Sequence, residues 1–244
     1  MDSMKKKLGI FIQARMGSTR LPGKVLKNIG GKSALKIMID NLKKTEYSDS
    51  IFILTSDKKE DDKIERFCRE EKVICFRGSE EDVLDRFFKA SEKYNIKYVV
   101  RLTADCPFLS MTVLKDSIVD YFENGKFDYL SAIDYPIGLG DVEITNFVSL
   151  SKAYGESTKK YHREHVLTYL KDHPEKFRVF FKEAPGKYNR TDIRLTLDEQ
   201  KDLELLQIVY KKNNGRIDLD SIIDLFNKEP DLLLVNRHVK QKTV

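Results

Sequence analysis

Cysteine is scarce in this chain. Cys68, Cys75 and Cys106 are the only three in 244 residues, and they lack metal-ligand spacing. An odd, unpatterned set of this kind excludes a disulfide-stapled scaffold or a cysteine zinc site as the organising principle. Long apolar runs are also missing, so no segment reads as a membrane span. The opening Met1-Asp-Ser-Met-Lys-Lys-Lys7 is followed by too short an apolar stretch for a secretory signal, and a cytoplasmic location is expected. Internal repeats and low-complexity linkers are absent. Nor does charge of one sign prevail: 44 Lys and Arg stand against 39 Asp and Glu, interleaved along nearly every helical stretch. That pattern describes solvated helix faces and argues against a nucleic-acid or membrane partner. What remains, 41% hydrophobic and 34% charged residues, suits a globular chain with a sizeable core, one domain spanning 1–244.

The most informative stretch is Gly9-Ile-Phe-Ile-Gln-Ala-Arg-Met-Gly-Ser-Thr-Arg-Leu-Pro-Gly-Lys-Val25. The apolar run from Leu8 to Ile12 predicts a buried strand. It opens into small residues, Gly17, Ser18, Thr19 and Gly23, among the cations Arg15, Arg20 and Lys24. Small residues let backbone N–H groups approach an anion, and the cations neutralise it. Arg offers a planar fork to phosphate oxygens and Lys a point charge. The stretch reads as a phosphate cradle at the carboxyl edge of an α/β sheet. It is not a Walker A loop, since Gly17 and Gly23 are one residue too far apart and Val25 stands where the metal-binding hydroxyl belongs. It is not a dinucleotide fingerprint either, because no glycine follows Gly17 at two or five residues.

Downstream, strands and helices alternate. Strands are expected at 50–55, 73–76 and 98–102, and helices at 34–43, 61–71, 83–94 and 111–124. Such alternation implies a parallel sheet covered on both faces, with the strand-exit loops gathered at one rim. Past Tyr129-Leu-Ser-Ala132 the alternation stops. A loop at 135–140, a short strand 141–144, a helix 146–154, a second helix opening at 161–166 and a strand 177–181 read as a small lobe, 134–190, inserted before a last sheet strand at 192–198. Helices at 198–210 and 217–227 and a frayed tail, 236–244, complete the chain.

Three polar groups lie at strand exits or helix starts. Asp105, in Thr103-Ala-Asp-Cys-Pro107, follows the apolar Val99-Val-Arg-Leu102, where α/β enzymes place reactive groups; it could also cap a turn. Ser79 or Asp82 can cap the helix after Gly78, and Asp198 the helix from 198. His162 and His165, three apart in Tyr161-His-Arg-Glu-His-Val166, would share a helix face, but Glu164 makes them no convincing zinc set.

The run Gln13-Ala-Arg-Met-Gly-Ser-Thr-Arg-Leu-Pro-Gly-Lys-Val-Leu26 resembles the signature of the SpsF-like spore-coat polysaccharide biosynthesis cytidylyltransferases, and more distantly the opening of CMP-KDO synthetases. The likeness extends through Arg77-Gly-Ser-Glu-Glu-Asp-Val-Leu-Asp-Arg86, Thr103-Ala-Asp-Cys-Pro107, Gly140-Asp-Val-Glu143, Arg163-Glu-His-Val166 and Asp192-Ile-Arg-Leu-Thr-Leu-Asp198. It departs at Ala104, where the family has Gly, at the transposed Leu139-Gly140, and at Glu199-Gln-Lys201, which replaces Thr-Pro-Glu.

The resemblance implies a Rossmann-like, GT-A-like nucleotidyltransferase fold, a three-layer sandwich about a mainly parallel sheet. It implies transfer of CMP from CTP to a small-molecule acceptor with release of pyrophosphate, in a homodimeric, Mg2+-dependent enzyme. The nucleotide would lie on Gln13, Ala14, Arg15, Gly17, Ser18, Thr19, Arg20, Lys24, Gly78, Ser79, Asp82, Thr103 and Ala104, with Arg15, Arg20, Lys24 and Asp105 in catalysis. Asp105 and Asp198 would hold Mg2+. Asp141, Glu143, Arg163 and His165 would receive the acceptor. Two other classes stay open on the residues alone. A glycosyltransferase would normally show Asp-x-Asp, and Asp105-Cys-Pro lacks the second Asp. A non-catalytic nucleotide binder would be expected to have lost one of Arg15, Lys24, Asp105 or Asp198.

Overall fold

The computed structural model describes residues 7–123 and 127–240. The first strand, β1 (Leu8–Gln13), is apolar at nearly every position because both of its faces are covered. Leu8, Ile10 and Ile12 enter one core while Phe11 enters another on the opposite face, as the two-residue period of a strand requires. The remaining strands are β2 (Asn28–Ile29), β3 (Lys32–Ser33), β4 (Ile51–Ser56), β5 (Ile74–Gly78), β6 (Tyr98–Thr103), β7 (Tyr129–Ile133), β8 (Glu143–Asn146) and β9 (Val179–Glu183). The helices are α1 (Ala34–Leu42), α2 (Asp62–Glu71), α3 (Val83–Lys93), α4 (Met111–Glu123), α5 (Phe147–Glu156), α6 (Lys160–Glu164), α7 (Thr168–Asp172), α8 (Gln200–Lys212) and α9 (Leu219–Lys228).

Among the described residues, seven strands form one sheet in the order β5-β4-β1-β6-β8-β7-β9. The chain steps outward from β1 to β4 to β5, then returns to β6 on the other side of β1. All of these pairs are parallel, with Ile10 opposite Ile51 and Gln13 opposite Thr103. Where the strand order reverses, between β1 and β6, the exit loops diverge and leave a crevice. Helices α1, α4, α8 and α9 pack on one face with Ile64 and Cys68 of α2, while α3, α5 and α7 pack on the other. The expected three layers are therefore present.

The second half corrects several expectations. The 134–190 segment contributes β8 and β9 to the central sheet itself. β8 runs antiparallel between β6 and β7, and β9 is the outer strand, parallel to β7. The helix expected to open at 161 is two short ones, α6 and α7. Among the described residues the strand expected at 192–198 does not join the sheet: its one bridge there is Arg194 to Ile137. Its pattern is strand-like, yet both edges of β6 are already taken by β1 and β8, so the segment bonds to loops. Leu195 N–H donates to Ile137 at 2.8 Å and Leu197 N–H to the Asp105 carbonyl at 2.7 Å.

A small hairpin, β2–β3, precedes α1 and was not foreseen. Gly30 and Gly31 both have positive φ, at 59° and 89°, and a Cβ on Gly30 would fall 2.3 Å from the Tyr210 ring. Only glycine meets both demands. The expected end of α4, Asn124, lies outside the described residues, as do residues 1–6 and 241–244. The tail is not frayed where it begins, since Asn236 and Val239 are buried. No described helix is long and apolar enough to cross a membrane.

Candidate active site

A cleft of about 590 Å3 lies over the β1/β6 switch point. Its floor is the carboxyl edge of these strands. Beyond β1 the ladder continues for one residue on each side, with Ala14 N–H donating to Leu54 and Ala104 N–H to Gln13, both at 3.0 Å. Ala14 and Ala104 are consequently buried, with their backbones engaged in the sheet. The chain then turns sharply. Met16 N–H donates to the Asp61 carboxylate at 2.6 Å, and Asp61 also accepts from the Ser56 amide at 3.0 Å. Asp61 looked like the start of a helix; it is buried and pins the 15–24 loop to the end of β4. Gly23, at φ 66°, closes the turn and aims Lys24 into the cleft.

Lys24 is the centre of the site. Its ammonium lies 2.6 Å from Asp105 Oδ2 and 2.8 Å from Asp198 Oδ1. Two carboxylates that lie 81 and 174 positions beyond Lys24 in the chain thus meet at its ammonium. Arg20 adds contacts to Asp198 at 3.2 Å and Glu199 at 3.1 Å. Arg15 stands at the rim, exposed and 3.8 Å from Glu80. Burial alone would lower the Lys24 pKa, but Asp105 and Asp198 outweigh it and raise it. Burial likewise works against the Asp198 carboxylate, yet Lys24, Arg194 and Arg20 hold its pKa below the ordinary value.

Two backbone devices bring the carboxylates together. The Asp105 carbonyl accepts from Leu197 N–H at 2.7 Å and from the Thr196 hydroxyl at 3.2 Å, docking the 193–198 segment onto the β6 exit. Helix α8 starts at Gln200 with Glu199 as its N-cap, so Asp198 is not the cap the sequence suggested, and its side chain is left for the cleft. A fully buried Asp202 then fixes Asp198: its Oδ2 accepts from the Asp198 and Glu199 amides, both at 3.0 Å. Its Oδ1 accepts from Arg194 Nε at 3.2 Å and Asn236 at 2.8 Å. Arg194 in turn donates to Asp198 Oδ2 at 2.7 Å. None of Arg194, Asp202 or Asn236 stood out in the sequence, because this network joins residues up to 42 positions apart.

The other half of the cleft is carried by β6, β8 and β7 and the start of α7. Arg101 of β6 and Glu143 of β8 are register partners, and Glu143 bridges Arg101 and the Tyr129 hydroxyl. Arg101 interrupts an apolar strand, a signal that could have marked it. Asp141 lines the cleft; desolvation by the surrounding protein pushes its pKa up to about 6 against the Gly138 amide that donates to it, with Asp105 and Glu143 adding to the rise. His165, Thr168 and Lys171 form the wall opposite. Partial burial lowers the His165 pKa, favouring neutral imidazole.

The structure brings Gln13, Arg15, Ser18, Thr19, Arg20, Lys24, Thr103, Asp105, Asp141, Glu143, His165 and Asp198 to this cleft. It places others elsewhere. Ser79 accepts from the Asp82 amide at 3.1 Å, and Asp82 caps α3 through the Asp85 amide at 2.9 Å. The second Asp82 oxygen takes Arg163 Nε at 2.8 Å, while Arg163 also donates to the Tyr154 carbonyl and stacks 4.6 Å from its ring. Both oxygens of Asp82 and the Arg163 guanidinium are thereby engaged in joining α6 to α3. Gly78 lies beside this junction, its Cβ position 3.4 Å from the Arg86 stem, and Gly17 faces Glu60. His162 is buried against Asp172, turned from His165, and no three-residue metal cluster occurs among the described residues.

The chain resembles known proteins along most of its length. A family model described as cytidylyltransferase matches residues 10–232. An uncharacterized protein of Methanocaldococcus jannaschii is 41% identical over 239 residues, covering 98% of this chain and 97% of its own. The spore coat polysaccharide biosynthesis protein SpsF of Bacillus subtilis is 38% identical over 229 residues, covering 91% of this chain and 94% of its own. A solved cytidylyltransferase from Leptospira borgpetersenii superposes with a TM-score of 0.86 at 32% identity, covering 98% of both chains.

Proposed function

The chain belongs to the cytidylyltransferase family, and on that premise we propose that it transfers CMP from CTP to a sugar acid, a sugar phosphate or a related small acceptor. Pyrophosphate is the second product, and the conjugate serves the building of a surface polysaccharide or glycoconjugate. The observation that carries this reading is the meeting of Asp105 and Asp198 on Lys24, at the switch point where Arg20 also arrives.

An acceptor oxygen would attack the α-phosphorus in line as pyrophosphate departs on the opposite side. This chemistry asks the protein for position and charge more than for covalent participation. Arg15, Arg20 and Lys24 hold the β- and γ-phosphates and offset the charge that grows on the leaving group. Asp141, Glu143 and His165 orient the acceptor, with neutral His165 able to take its proton. Two carboxylates converging on a positive charge form a hard-oxygen pair of the kind that binds Mg2+ together with substrate phosphates. Asp105 and Asp198 fit that ion, which when bound supplies charge neutralisation at the reacting phosphate. The reading includes a homodimer, and a particle of 28.4 kDa in sedimentation would count against that part.

The test is pyrophosphate release from CTP with Mg2+ across a panel of sugar acids and sugar phosphates. Asp105→Asn is expected to lower turnover by about 10²–10³ while circular dichroism stays that of the parent. Parent-like turnover in this variant would remove the mechanism.

A further inference from the structure

We propose that Lys24 is the resident counter-ion of Asp105 and Asp198, so that a divalent cation and the nucleotide phosphates enter by a double exchange of ion pairs. The inference rests on the reading of these two carboxylates as metal ligands. Lys24 stands within 2.8 Å of both, so its ammonium occupies the space that a shared cation requires. The arrangement of the oxygens makes exchange possible at one position and not another. Asp198 Oδ2 is held by Arg194, itself tied to the buried Asp202, and belongs to the scaffold. Among the described residues the contacts of Asp198 Oδ1 and Asp105 Oδ2 are, by contrast, with cations of the 15–24 loop. The side chain that must leave is a lysine, a point charge on a flexible stem that can turn toward a phosphate without moving the backbone.

Charge conservation gives the arrangement its consequence. A metal ion arriving alone would displace Lys24 and leave a largely buried ammonium with no anion, since only 14% of that side chain is exposed. A nucleotide arriving alone would draw Lys24 away and leave the two carboxylates without the cation they share. Arriving together, the metal takes the carboxylates and the phosphates take the ammonium, and each charge keeps a partner. Each ligand therefore strengthens the other's binding, and the coupling is reciprocal. Lys24 keeps the metal site closed to free divalent cations until nucleotide is present.

The experiment uses the full chain without nucleotide and Mn2+ alone as the probe, with free Mn2+ measured by electron paramagnetic resonance. Wild type is expected to bind weakly. Lys24→Met should bind roughly tenfold or more tightly, within the range typical of coupled sites, and Lys24→Met/Asp105→Asn should lose that gain. A folded Lys24→Met whose Mn2+ affinity is unchanged or weaker overturns the proposal. Should Lys24→Met fail to fold, Asp105→Asn serves instead: it frees Lys24 from one partner and should bind metal-free CTP, in a chelator, more tightly than wild type. Equal or weaker binding there is the overturning result. Because no nucleotide enters the Mn2+ measurement, its outcome stands apart from whether CTP proves to be the donor.

Discussion

Two charged clusters in this molecule are built from similar parts and differ in what they leave free. At the cleft, Lys24 joins Asp105 and Asp198; at the contact between α6 and α3, Arg163 joins Asp82. Each links distant segments, and each drew attention through a family-like sequence. In the Arg163 cluster every strong acceptor is committed: Asp82 uses one oxygen to cap α3 and the other to bind Arg163, whose remaining contacts go to Tyr154. In the Lys24 cluster one cation is shared by two carboxylates, and the oxygens involved have no obligatory backbone donors. The first arrangement stabilises a junction and has nothing to exchange. The second can trade its cation for another, because its geometry is maintained from behind by Arg194 and Asp202.

This contrast can be broken in three places. The largest effect should come from the support behind Asp198. Asp202→Ala removes the partner of Arg194 and Asn236 and two amide contacts, and is expected to cost about 3–5 kcal/mol in urea denaturation. A cost no greater than that of an exposed substitution would mean that Asp198 is positioned by something else. Next comes the junction. Arg163→Ala should cost about 1.5–3 kcal/mol of stability and leave kcat for pyrophosphate release near that of wild type. A collapse of kcat like that of Asp105→Asn would erase the distinction between the two clusters.

The smallest effect concerns Asp141. Its folded-state pKa of about 6 lies above the ordinary value of 3.8, so the folded protein favours the protonated form. Stability from this group is present at low pH and declines as pH rises from about 4 through 6. Asp141→Asn should therefore gain melting temperature relative to wild type across that window and keep the gain above it. The shift should be slight, since the side chain opens onto solvent in the cleft. Parallel melting curves at every pH would show that Asp141 is not perturbed as described.

Much of the donor side was legible because its parts are local. A buried strand, a small-residue loop and three cations lie within Leu8–Lys24, and chain sterics alone bring them to the strand exit. The first four sheet strands of the parallel half were equally legible, since helix and strand periods alternate there without interruption. The second half was less so. Residues 192–198 carry a strand's alternation, but both edges of β6, onto whose exit they dock, are already paired with β1 and β8. Arg163 resembles a family motif, yet its contacts are decided by where α6 falls relative to α3. Asp198 looked like an N-cap, and a one-residue difference in the start of α8 released it.

By itself the sequence determined the layered α/β class, the small-residue loop after β1 with its cations, and the exclusion of Walker and dinucleotide loops. These follow from short-range pattern and residue chemistry. Only the tertiary structure decided that Asp105 and Asp198 meet at Lys24, that Asp82 and Arg163 serve a junction, and that Arg101 and Tyr129 complete the cleft. Those facts depend on long-range packing: the order of strands in the sheet, the docking of 193–198 onto the β6 exit, and buried polar groups that must find partners wherever the fold provides them.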